Sequence, residues 1–256
     1  MKWALEIQKT SLERRNLTDL LEELEFEVVD GIEYIAFTSP SFEALELKEE
    51  VWIEAKKLRD IIIGPTNIDP DFTLGAIIEY SEGESKRYHF LEVHDSVNAS
   101  SICSATISYK PSPELSEKER KEFIEALAEQ EYRAKLELQR SKLTPAFRNP
   151  KALKVLKLLN LSNHNGESIF KIYEHMEGSK KNRDYFQRKF GITKLEFDRF
   201  CDAVHNPAVS GDLARHANEY PSWTSNPMNL QEAKSFVEQL ANRWLVAIRE
   251  DLSGTK

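Results

Sequence analysis

Arg199 and His205 stand six positions apart, with Asp202 between them and Asn206 directly after. Those residue types suit phosphodiester chemistry. A guanidinium is a planar fork that can hold two phosphate oxygens at once. An imidazole titrates near neutral pH and can carry a proton to or from an attacking 2′-hydroxyl. A second concentration of polar groups follows at Asp212, Arg215 and His216. An Arg-His dipeptide in an irregular segment suits phosphate or carboxylate, and equally the satisfaction of buried carbonyls between helices; the second use is the expected one.

A third cluster is basic. Lys180, Lys181, Arg183, Arg188 and Lys189 are interleaved with Tyr185 and Phe186. Stacking on aromatics together with phosphate pairing is how single-stranded RNA is held. On an amphipathic helix the same aromatics face the core, and that is the preferred reading. Elsewhere, His89 and His94 lie an odd number of residues apart on one expected strand, hence on opposite faces and unsuited to a shared metal. There is no Walker loop, no Gly-x-Gly-x-x-Gly and no His-Glu-x-x-His, so the sequence offers no cofactor site.

The spacing Arg199-x5-His205 resembles the Arg-x4–6-His motif of the HEPN superfamily, whose members are small helical domains, many of them metal-independent ribonucleases of toxin and phage-defence systems. The resemblance implies that Arg199 grips the scissile phosphate, that His205 does the acid/base work and that Asn206 supports them. It also implies RNA as substrate and a homodimer through the C-terminal helical domain, because HEPN sites form where two motif helices meet. The sequence departs from the pattern at Phe200, where such motifs commonly carry a polar residue; here the asparagine follows the histidine. The stretch from Gly211 to Ala217, together with Asn226 to Ala233, looks like the C-terminal tail of a group of uncharacterised bacterial proteins.

The elements around these residues can be read from periodicity and punctuation. A helix with the stripe Phe197, Phe200, Cys201 and Val204 puts Asp198, Asp202 and His205 on the opposite, exposed side, with Arg199 beside Asp202. There the bland reading is a surface ion pair and a helix-terminal histidine favoured by the macrodipole. Gly191-Ile192-Thr193 starts that helix and Asn206-Pro207 stops it. Helices are also expected over Lys151–Leu161, Glu167–Met176 and Asn182–Phe190. A last helix is capped by Asn229, with Ala233, Val237, Leu240, Ala241, Trp244, Leu245 and Ile248 on its buried face.

The first half reads differently. Strands are expected over Trp3–Ile7, Phe26–Val29, Ile32–Phe37, Phe72–Tyr80, Arg87–His94 and Ile102–Tyr109, with a two-residue turn at Asp30-Gly31. Helices are expected over Leu17–Leu24 and Leu47–Ile62. Ser116 and Glu119 form a capping box for a charged helix running to about Arg140, and Ser141–Pro150 is the expected linker. The fold class is therefore α+β: an acidic, mostly antiparallel sheet domain with helices (1–112), a connecting helix and linker (113–150), and a basic all-helical domain (151–256).

Composition bounds the rest. The chain has 256 residues, 40% of them hydrophobic, enough for a real core. Two cysteines far apart exclude a disulfide framework and a cysteine-built zinc site. Met1-Lys2-Trp3-Ala4-Leu5-Glu6 lacks a long apolar run and no segment is long enough to span a bilayer, so the expectation is a cytoplasmic protein without a membrane partner. The net charge of −8 hides an asymmetry: from Lys142 onward there are 18 basic and 13 acidic side chains, and before it 17 and 30. Halves of opposite sign suggest different partners for each, or mutual attraction. Two functional readings follow. The first is a bacterial interaction or accessory protein, placed by analogy in a defence or stress system, that binds a protein or RNA partner through Asp202, Arg215, His216, Lys181, Arg183 and Arg188. The second is a HEPN-like ribonuclease. The imperfect motif puts binding first.

Overall fold

The computed structural model describes residues 2–31, 34–81, 84–90, 116–218 and 220–254. The architecture is α+β, an antiparallel sheet followed by helices. The chain divides into two compact units. One comprises Met1–Gln8, Glu13–Trp52 and Leu74–Leu138; the other comprises Lys9–Leu12, Ile53–Thr73 and Gln139–Lys256.

In the first unit, β1 (Trp3–Lys9) sits at the centre of a sheet ordered β2-β3-β1-β4-β5. The other strands are β2 (Glu27–Asp30), β3 (Ile35–Thr38), β4 (Thr73–Ser81) and β5 (Glu84–Tyr88). Alternation along β1 sends Trp3, Leu5 and Ile7 to one face. Leu5 stands opposite Phe37 there, and Phe26, Phe37 and Phe42 form a ring cluster. Leu17, Leu20 and Leu21 of α1 (Arg14–Glu22) are fully buried, as the i, i+3, i+4 spacing dictates. Ala4, Ala36 and Ile78 pack together on the opposite face with Val29, Tyr34 and Tyr80. Short α2 (Pro40–Glu43) is capped by Ser39, and α3 (Lys48–Ile63) buries Val51, Ala55 and Leu58.

The first hairpin departs from expectation. Asp30 pairs with Ile35, and the Gly31 N–H donates to the Tyr34 carbonyl at 2.9 Å. The ladder thus continues past Asp30-Gly31, which is not the two-residue turn. This register sets Val28 against Phe37 and Val29 against Ala36. It also gives Gly31 a different role, since a Cβ there would meet the Tyr34 ring at 2.1 Å. In the second hairpin Ser81 pairs with Glu84, both within the expected turn. Residues 91–94 and the expected strand Ile102–Tyr109 lie outside the described residues.

The capping box at Ser116 and Glu119 is present, but α4 runs from Glu117 to Arg148. The expected linker is largely helix. Pro145 removes one N–H donor, at a cost of a few kcal/mol in a free helix; burial of Leu143, Thr144 and Ala146 offsets it. Divisions between the two units fall within α3 and within α4, and near the ends of β1 and β4. Asn149 instead caps α5 (Pro150–Leu159), accepting from the Lys151 and Ala152 N–H groups.

The second unit continues with α6 (Gly166–Glu177), α7 (Arg183–Lys189), α8 (Lys194–His205), α9 (Pro207–Ser210) and α10 (Leu230–Ser253). Helix α6 packs on α5, α8 and α10. Its Tyr173 is fully buried among Phe170, Phe186, Phe197 and Phe200. No described helix is long and apolar enough to cross a membrane.

Candidate functional site

Helix α8 starts where the sequence says it must. The Thr193 hydroxyl accepts the Glu196 N–H, and the Glu196 carboxylate reaches back to Thr193. It ends at Asn206, whose side chain caps α9 by accepting the Ala208 N–H at 3.1 Å. Arg199, Asp202 and Asn206 are spaced i, i+3, i+7 and share one face. All three face one irregular segment, residues 220–226, where no secondary structure satisfies the backbone.

Asp202 is 0% exposed. Its carboxylate accepts the Trp223 N–H at 2.9 Å, the Thr224 N–H at 2.9 Å and the Thr224 hydroxyl at 3.0 Å. The Asn206 amide donates to the Tyr220 carbonyl at 2.9 Å and reaches the Ser222 hydroxyl at 3.4 Å. The Arg199 guanidinium donates to the Asn226 carbonyl at 2.6 Å, and the Met228 N–H returns to the Arg199 carbonyl. These three side chains therefore tie down a loop. Trp223 stacks on Tyr220 at 5.7 Å between ring centres and is 58% exposed.

The expected exposed side of α8 is thus covered, which corrects the reading of Asp202 and His205 as surface residues. Periodicity identified Phe197, Phe200, Cys201 and Val204 as core correctly; all are buried. It could not register a loop some twenty residues further on folding over Asp202, or Phe170 and His216 enclosing His205. His205 is 7% exposed, wedged edge-on against Phe170 at 4.2 Å and stacked on His216 at 4.9 Å. Burial, and then the neighbouring His216 and Arg215, push its pKa down to about 4. Its Nδ1 is buried without a partner among the described residues. A neutral, enclosed imidazole is poorly placed to exchange protons with a substrate.

Arg215 lies over the Phe170 ring at 4.7 Å and within 3.8 Å of the Glu174 carboxylate. Its backbone N–H donates to the Val204 carbonyl at 2.8 Å, which is the expected satisfaction of a helix-end carbonyl. Gly166 makes the approach feasible, because a Cβ there would stand 2.1 Å from the Val204 oxygen and 3.0 Å from the Arg215 nitrogen.

The basic cluster splits. Arg183 grips the Glu177 carboxylate with two donors, at 2.6 and 3.2 Å, and its guanidinium covers the Phe197 ring. The Glu177 side chain is 2% exposed, so this pair is structural. Phe186 faces the core as preferred, but Tyr185 is exposed. Lys181 and Arg188 are exposed, with Arg188 donating to the Asp184 carbonyl. Cys201 is buried, its thiol pushed up to about 12 by desolvation, which makes it inert as a nucleophile. Among the described residues no group of three or more His, Cys, Asp or Glu is arranged to hold a metal ion.

Comparison with protein-family models, curated proteins and solved structures found no match. Sequence reasoning missed the loop and Trp223. The available signal was the proline-flanked run Pro221-Ser222-Trp223-Thr224-Ser225-Asn226-Pro227, whose backbone donors and acceptors need partners outside any helix.

Proposed function

We propose that this protein is a non-catalytic interaction module, and that the loop at 220–226, with Trp223 at its tip, is its contact surface for a protein partner. One observation carries the reading. Asp202, a carboxylate with no exposure, spends its hydrogen-bonding capacity on the backbone of that loop, while the loop holds a large aromatic side chain out in solvent. Burying a carboxylate is costly unless it is fully bonded. Here it fixes an irregular segment in advance, which lowers the ordering cost of binding. Exposed tryptophan on a rigid support is the residue type that dominates interface hot spots. The chain then acts as an accessory to another protein, in a cytoplasmic setting.

The ribonuclease reading needs Arg199 and His205 free to meet one phosphate. Arg199 is engaged by the Asn226 carbonyl, and His205 is enclosed by Phe170 and His216. One set of experiments decides between the two. The purified chain and its Trp223→Ala variant are used as baits in lysate of the source cells, and both are incubated with labelled RNA in EDTA. The expected result is a protein retained by the wild type, lost with Trp223→Ala, and no RNA cleavage. Metal-independent cleavage abolished by both Arg199→Ala and His205→Ala would replace this proposal with a HEPN-like ribonuclease.

A further inference from the structure

A second surface, distinct from the Trp223 loop, lies where α7 meets α6 and α10. Met176, Phe186, Phe190, Trp244 and Ile248 floor a cleft of about 190 Å³. That is smaller than the few hundred Å³ typical of a cofactor or metabolite site, but it suits one large apolar side chain. Tyr185 stands exposed at its edge, and Lys189 reaches toward Asp251 across it at 3.8 Å. The buried carboxylate in the lining, Glu177, is already neutralised by Arg183. The adjoining segment 180–189 carries five basic side chains against the single Asp184. Lys180 and Lys181 are both exposed there. The cleft is apolar in its floor, carries Lys189 and Asp251 in its lining, and lies beside this basic segment.

The complementary chemistry is present in the chain itself. Every residue of α4 and its cap from Ser116 to Ala126 is exposed, and these include Phe123 at 44% and Ile124 at 54%. The helix makes its contacts within its own unit further along, where Glu129 meets Arg15 and Tyr132 meets Asp19. Free helical turns are marginal by themselves, and two neighbouring exposed apolar residues add nothing to stability unless covered. Glu117, Glu119, Glu122 and Glu125 surround them, against three basic residues in the same stretch. The ion pairs within the stretch, Lys118 to Glu122 and Lys121 to Glu125, are long and solvent-exposed, so Glu122 and Glu125 remain open to stronger partners.

We infer that the cleft binds the first turns of α4 from a second copy of this chain, with Phe123 entering beside Trp244 and the glutamates meeting Lys180, Lys181 and Lys189. The contact joins two different surfaces, so reciprocal exchange gives a closed dimer and one-way exchange gives longer assemblies. Helix-in-groove docking of this small size gives weak, micromolar association that salt weakens further.

The test is sedimentation of the full chain from low-micromolar to near-millimolar concentration, at low and high salt. The expected result is concentration-dependent association whose dissociation constant rises at least about tenfold in Phe123→Glu, in Ala247→Trp, which fills the cleft, and in Lys180→Glu/Lys181→Glu. Phe123 and the two lysines are exposed, so their substitution leaves the fold intact, which circular dichroism checks. Trp223→Ala should leave association unchanged, which separates this contact from the loop. A chain that sediments as a monomer throughout, or that associates equally well in all of these variants, overturns the inference.

Discussion

The Asp202 carboxylate accepts the backbone N–H of Trp223 at 2.9 Å, with Asp202 sealed from solvent and the Trp223 ring largely in it. A buried acid thus supports an exposed aromatic twenty-one residues away in sequence. Removing the acid leaves two loop N–H groups and a hydroxyl without an acceptor. Asp202→Ala should therefore lower stability by about 2–3 kcal/mol. In hydrogen exchange, the amides of Trp223 and Thr224 should lose protection while those of α6 keep theirs. Equal loss of protection throughout would mean that Asp202 serves the core and not the loop.

His205 supplies a pH dependence. Its pKa is lowered in the folded chain to about 4, from an ordinary value near 6.5. Between those values the unfolded chain binds a proton that the folded chain does not, so stability rises with pH across this window. The contribution is complete above about pH 6.5 and is lost as pH falls toward 4, and it amounts to about 3 kcal/mol. Urea denaturation at several pH values should show this slope, and His205→Gln should flatten it.

Glu177 and Arg183 form the buried ion pair that closes α6 against α7. Hydrogen bonding to Glu177 raises the Arg183 pKa further, so Arg183 stays charged. Arg183→Ala would strand the carboxylate and should cost roughly 3–5 kcal/mol. Replacing both partners, as Arg183→Met with Glu177→Leu, should recover most of that loss in thermal denaturation. If the double variant is no better than the single one, the pair contributes packing and not charge compensation.

Gly166 tests the junction of α6, α8 and the Arg215 segment. An alanine Cβ at this position collides with the Val204 carbonyl oxygen, a backbone atom that no rotamer change can move. Gly166→Ala should destabilise by about 1–3 kcal/mol despite the better helix propensity of alanine. The Arg215 amide should exchange faster, since its bond to Val204 is the one displaced. A neutral or stabilising outcome would show that the helix end shifts freely.

Much of this structure could be read from the sequence because the determining interactions are local. Thr193 with Glu196, and Asn229 with Glu232, place helix starts through hydrogen bonds three residues apart. Leu17, Leu20 and Leu21, or Val237, Leu240, Ala241 and Trp244, declare a buried face by spacing alone. The end of α4 could not be read in the same way. Local rules make Pro145 a helix breaker, and only the burial of Leu143 and Ala146 lets the helix continue through it.

The α+β class, the helix caps, the apolar stripes and the charge difference between the two parts of the chain follow from the sequence by itself, because neighbouring residues set them. Tertiary structure alone decides whether Arg199, Asp202 and His205 are a surface or a support. The periodicity of α8 correctly leaves them off its first buried face, but burial depends on what folds over the other one. The segment that does so has no periodicity to read. Asp202, Asn206 and Arg199 bond its backbone donors and acceptors, so long-range hydrogen bonding brings three candidate site residues under a loop that holds an exposed tryptophan.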